Sequence, residues 1–214
     1  MIEAIIFDLD GVIVDTAHYH FIAWQRLAKE LGITFTEKEN ERLKGVSRMR
    51  SLEIILEIGG VSLSKEKMEE LATKKNSWFV EYIEAIKPEE IFPGVKEMIL
   101  KLRDQGYKIA LASSSKNAEM VLTLLQIKNL FHVVVDGTMI THSKPDPEIF
   151  LLAASKLGVD PDYCVVFEDA EAGVEAAIAA GMKCVGIGSP EQLSKANQVI
   201  RKTGDFNIGE LNKL

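Results

Sequence analysis

Several things are scarce in this chain, and each scarcity removes a class of function. Only two cysteines occur in 214 residues, too few for a disulfide framework. Cys164 opens one apolar run and Cys184 lies inside another, Met182 to Ile187, so both read as small core residues. With four histidines, no His/Cys cluster of metal-ligand spacing is visible. No apolar run approaches the roughly 20 residues that span a bilayer. The start of the chain shows neither a basic region nor an apolar signal core. A cytoplasmic protein without a membrane partner is the expectation. Lys and Arg together number 25 against 32 Asp and Glu, a formal charge of −7. That balance argues against nucleic acid, whose phosphates attract basic surfaces. There is no Walker A loop, and no glycine fingerprint follows a strand-like run, so a nucleotide cofactor is not indicated. Internal repeats and low-complexity segments are absent as well.

What remains is an ordinary globular composition, 47% hydrophobic and 27% charged, on a chain long enough for one α/β domain with a modest insertion. The apolar run Ala4 to Phe7 reads as a buried strand of a parallel sheet. It ends in Asp8-Leu9-Asp10-Gly11. Ligands of open α/β sheets sit just outside the carboxyl ends of the strands, which is where Asp8 and Asp10 fall. Two such carboxylates can hold a hard cation through oxygen, and one can act as a nucleophile. The plain alternative is a solvated Asp-Gly turn.

Two further apolar runs end in the same manner. Ile109 to Ala112 leads into Ser113-Ser114-Ser115-Lys116-Asn117, and Cys164 to Phe167 leads into Glu168-Asp169. Ser143-Lys144-Pro145 lies between them, ahead of a helical pattern. The serines also suit a helix start, which is itself an anion site. Glu168-Asp169 could simply cap the helix that follows, and Lys144 alone could be a surface lysine.

From about Thr16 to Lys87 the strand–helix alternation is interrupted. Phe21, Trp24, Leu27, Ala28 and Leu31 recur at helical steps, with Gly32 as the stop. Leu52, Ile55 and Leu56 repeat the pattern. Ser64 opens a long helix with Met68, Leu71, Ala72, Phe79 and Ile83 as its apolar stripe. Pro88 and Pro93-Gly94 mark the end of this stretch. From Val95 the alternation resumes: helix 95–103, strand 108–112, helix 118–126, strand 133–135, helix 147–157, strand 164–167, helix 172–180, strand 183–187 and a weaker tail. Such alternation predicts a parallel sheet. The expected fold is therefore α/β, a doubly wound parallel-sheet core over 1–15 and 88–214 with an inserted helical cap over 16–87.

The Asp-x-Asp block at Asp8, the serine at 113, Lys144 and the acidic pair at Glu168 resemble, in order, the four motifs of the haloacid dehalogenase superfamily. The resemblance spans the whole chain. Leu43-Lys44-Gly45-Val46-Ser47-Arg48, with His20, Trp24 and Ser113 to Asn117, is similar in particular to the branch that moves phosphate between C1 and C6 of β-glucose. That resemblance implies Asp8 as nucleophile, Asp10 as general acid–base, and Ser113 and Lys144 as stabilisers of the phosphoryl oxygens. It also implies Mg2+ held by Asp8, the backbone carbonyl of Asp10, Glu168 and Asp169.

A mutase must bind a sugar bisphosphate in two orientations, so it needs a second phosphate site away from the metal. Arg48 is the candidate, since a guanidinium suits bidentate phosphate binding, with Gly45, Val46 and Ser47 beside it. Ser114, Ser115, Lys116 and Asn117 would complete that site from the core. The resemblance further implies Thr16, His20, Trp24, Ser51 and Lys75 as substrate-binding residues, with His20 and Lys75 helping to couple lid closure to binding. For His20 a surface histidine, and for Trp24 a cap-core residue, remain the bland readings. Thr138, Thr141 and His142 receive no role.

The function expected from the resemblance is a Mg2+-dependent mutase interconverting β-glucose 1-phosphate and glucose 6-phosphate, with β-glucose 1,6-bisphosphate as donor and intermediate. The partner is a small phosphosugar, and a monomer is the default. A sugar-phosphate phosphatase using the same nucleophile is the first rival. A phosphorylatable receiver-type signalling domain is the second; the helical insertion and the second acid at Asp10 argue against it.

Overall fold

The computed structural model describes residues 1–214. Strand β1 (Ala4–Phe7) is fully buried, as a short β-branched and aromatic run at the centre of a sheet must be. Four helices make up the insertion that follows: α1 (Ala17–Glu30), α2 (Glu37–Asn40), α3 (Arg48–Gly59) and α4 (Lys65–Ile83). Serines start the two long later ones, Ser47 accepting the Arg50 N–H and Ser64 the Lys67 N–H. Helix α5 (Val95–Asp104) then leads into β2 (Lys108–Ala112), α6 (Ala118–Leu124), β3 (Val133–Val135), α7 (Glu148–Leu157), β4 (Cys164–Glu168), α8 (Glu171–Ala179), β5 (Lys183–Ile187) and β6 (Gln198–Ile200).

The six strands form one sheet in the order β3-β2-β1-β4-β5-β6, and every neighbouring pair is parallel. Alternation along each strand divides the core. Ile5, Phe7, Ile109, Leu111, Val165 and Phe167 pack on one face with Val95, Ile99, Leu102 and Val121 of α5 and α6. Ala4, Ile6, Ala110, Ala112 and Val166 pack on the other with Ile149, Phe150, Val174 and Ala177 of α7 and α8. Phe7 stacks on Phe167 at 5.1 Å, and Phe206 of the tail meets Phe167 edge-on at 5.0 Å.

The helical insertion leaves and re-enters the core at one place. Val14 bridges Ile91 antiparallel, and the Phe92 N–H donates to the Ile13 carbonyl at 2.8 Å. Gly11, at φ +75°, makes the preceding turn; a Cβ there would overlap the Asp169 carboxylate.

Two readings of the sequence need correction. The tail carries a sixth strand, β6, whose three residues are only half-buried at the sheet edge, so no apolar run announced it. The buried stripe of α4 also includes Lys75 and Trp78, whereas Met68 is only partly buried. No helix is long and apolar enough to cross a membrane.

Candidate active site

The carboxyl ends of β1, β2 and β4 converge because these strands are adjacent and in register, with Phe7 beside Leu111 and Phe167. Asp8 continues β1, its N–H donating to the Phe167 carbonyl at 3.0 Å. Lys144 is wholly buried, and its Nζ donates to Asp8 Oδ1 and Glu168 Oε2, both at 2.7 Å. Burial alone would pull this lysine down, but Asp8 and Glu168 more than offset that and its pKa is raised. Glu168 also accepts the Asp169 and Ala170 N–H groups at Oε1, 3.1 and 3.0 Å away. It therefore does serve the start of α8 as well as the ion pair. Burial raises its pKa to about 6 against the pull of Lys144.

Asp8, Glu168 and Asp169 offer carboxylate oxygens all within 4.8 Å of one another. Burial first, then the charges of Glu168 and Asp8, hold Asp169 well above the usual carboxylate range. Three crowded carboxylates with a single lysine among them fit a hard divalent cation, which takes oxygen ligands and cancels their repulsion. Asp10 contributes no side-chain oxygen to this cluster. Its Oδ1 is buried without a partner, and burial, then Asp8, raise its pKa to about 8. Burial and the Asp8 charge thus favour the protonated form of this carboxyl, which lines an open cleft.

The cleft lies between the sheet edge and the helical insertion. Asp8, Asp10, Asp169 and Ser113 to Lys116 form its core side, and His20, Trp24, Gly45, Val46, Arg48, Ser51 and Lys75 its helical side. His20 stacks on Phe79 at 3.8 Å, and its Nδ1 lies 2.7 Å from Lys75 Nζ. It is no surface histidine. Burial first, and the neighbouring cation second, hold both His20 and Lys75 well below their ordinary values. Lys75 also lies over the Trp24 ring at 4.5 Å, so Trp24 is at once core and cleft wall. Arg48, at the start of α3, is half-buried, and burial lowers its pKa.

Lys144 and Glu168 lie beneath the cleft, and three of the expected substrate-binding residues do not line it. The Ser47 hydroxyl accepts the Arg50 N–H as a helix cap. Thr16 is buried with its Oγ1 unpaired. Asn117 turns its side chain to Asn76, at 2.8 Å. Conversely Asn40, and Leu43 and Lys44 of the loop segment to which no individual role was assigned, do line it. Lys44 also lowers the pKa of Asp169; its place beside Gly45 was the one available signal. The loop before Lys144 proves to be held by local caps. Asp136 accepts from the Thr138 N–H, and Glu148 accepts from the Thr141 and His142 N–H groups. His142, Asp146 and Glu148 cluster at the surface.

Sheet order and the converging acid–lysine set define the class, and the chain belongs to the haloacid dehalogenase-like hydrolase family, whose model matches residues 5–187. Within it the chain is similar to the β-phosphoglucomutase of Bacillus subtilis (strain 168), 45% identical over 96% of this chain and 92% of that protein. The crystal structure of β-phosphoglucomutase from Clostridium difficile superposes with a TM-score of 0.97 at 44% identity, covering 100% of this chain and 96% of that one. A phosphorylated carbohydrates phosphatase of Thermotoga maritima is 36% identical over 85% of this chain and 82% of its own length.

Proposed function

We propose that this chain is a Mg2+-dependent β-phosphoglucomutase, interconverting β-glucose 1-phosphate and glucose 6-phosphate through β-glucose 1,6-bisphosphate. The observation that carries the reading is the Asp10 carboxyl, its Oδ1 buried without a partner, beside the lysine-paired Asp8. A phosphate-ester enzyme needs a proton for the departing alcohol as well as a nucleophile. The similarity to the two β-phosphoglucomutases supports the mutase branch.

Mg2+, held by Asp8, Glu168, Asp169 and the Asp10 carbonyl, would neutralise charge between nucleophile and phosphate. Asp8 attacks phosphorus and becomes an aspartyl phosphate. Lys144 holds the Asp8 carboxylate in place, and its charge together with the Ser113 hydroxyl stabilises the phosphoryl oxygens. Asp10 protonates the leaving sugar oxygen, then takes the proton from the hydroxyl that attacks in the return step. Arg48, with Ser115 and Lys116 across the cleft, binds the phosphate that is not reacting. His20 and Lys75 face the sugar from the helical side, so that residues 16–87 act as a lid.

Hydrolysis of the aspartyl phosphate is the competing outcome, favoured by the likeness to the Thermotoga phosphatase. A coupled assay with Mg2+ and β-glucose 1-phosphate, primed with glucose 1,6-bisphosphate, separates the two. Glucose 6-phosphate without free phosphate is the expected result. Phosphate release without isomerisation would make the enzyme a phosphatase.

A further inference from the structure

Asn117 occupies the position just before α6, where an asparagine side chain ordinarily accepts a helix N–H. Here it makes no cap bond. Its Nδ2 instead donates to Asn76 Oδ1, 2.8 Å away and 41 residues distant in sequence, on α4 of the helical insertion. Asn76 directly follows Lys75, whose amine meets His20. One turn of α4 thus touches the sugar side of the cleft and the core side at once. A second bond lands on the same core segment, from the Ser114 hydroxyl to the Gly45 carbonyl at 2.9 Å. Both join 16–87 to residues 114–117, beside the segment that lines the cleft.

We propose that Asn76 is a positioning residue that latches the helical lid to Asn117, and that this latch sets the partition of the phosphoryl group between sugar and water. The contact stands on geometry alone, whereas its consequence rests on the aspartyl-phosphate reading above. With the lid shut, the attacking oxygen is a sugar hydroxyl. With it open, a water oxygen bonds to phosphorus and passes a proton to Asp10, the bond between Asp8 and phosphorus breaks, and inorganic phosphate leaves with the Asp8 carboxylate restored. One lost hydrogen bond between half-buried amides shifts the open–closed balance about fivefold.

The test is a double-mutant cycle of Asn76→Ala and Asn117→Ala, with Ser77→Ala as control for α4, since Ser77 bonds only the Lys74 carbonyl. Two readouts apply: amide hydrogen exchange of 65–83 and 113–118 in the ligand-free protein, and free phosphate formed per glucose 6-phosphate. Each single variant is expected to raise exchange in both segments and phosphate loss about fivefold, with no further effect in the double. Ser77→Ala leaves both unchanged. Unaltered exchange in Asn76→Ala, or additive effects in the double, would overturn the latch. Altered exchange with an unchanged phosphate ratio overturns its role in partition. Should the unmodified protein form no glucose 6-phosphate, the mutase reading falls on that result, while the exchange data still decide the contact.

Discussion

Replacing Lys144 with methionine keeps most of the side-chain volume and removes the one cation between two buried acids. The Lys144 and Glu168 side chains have no exposed surface, and Asp8 has only 8%. Two 2.7 Å ion pairs disappear together, leaving uncompensated carboxylates. Breaking a buried pair in this way costs about 3–5 kcal/mol, a large share of the roughly 5–15 kcal/mol that stabilises a domain. Urea denaturation at pH 7 in EDTA is expected to show that loss. Added Mg2+ should stabilise Lys144→Met more than the parent, because the cation then relieves charges the lysine no longer meets. Glu168→Gln placed in the Lys144→Met background should recover stability, since it removes a stranded charge, and the pair should be strongly non-additive. A loss below about 1 kcal/mol without metal, or no recovery with Glu168→Gln, would refute the electrostatic account of this site.

Asp10→Asn should lower turnover by about 10²–10⁴-fold while Mg2+ affinity by calorimetry stays close to the parent, since only its backbone carbonyl would serve the metal. Gly173→Ala puts a methyl group into the Glu168 carboxyl; it should cost about 1–3 kcal/mol and weaken Mg2+ binding, read by thermal melts with and without the ion. The buried acids should cost the metal-free protein stability as pH rises. Asp10 (about 8) and Glu168 (about 6) are both raised in the fold. The stability tied to their protons is full below their unfolded values near 4 and is lost as pH passes through the folded ones. Between about pH 4 and 8 these acids should therefore lower the melting temperature in EDTA relative to an Asp10→Asn, Glu168→Gln variant. That variant retains the opposite contributions of His20 and Lys75, and Mg2+ should flatten the difference.

The sequence alone was enough to assign the strands β1, β2, β4 and β5, because central parallel strands are unbroken apolar runs. It was also enough to place Asp8, Ser113 and Glu168, because each directly follows such a run or ends it, and sheet register then aligns them. Ser64 and Ser47 carry local helix-start signals that need no tertiary partner. What only the tertiary structure decided is which polar groups are buried and what they meet. Lys75 sits in an apolar stripe where its charge suggested solvent, because His20 and Trp24, some 50 residues away in sequence, enclose it. His20 reads as an exposed histidine until Phe79 is laid against its ring. Nothing local in the sequence around Asn117 shows that α4 brings Asn76 within 2.8 Å of it. Edge strand β6 has too few buried residues to show a period. Hydrophobic periodicity is a local property and records which face is turned inward; the partner of a buried polar side chain is fixed by packing between distant segments, which no local pattern encodes.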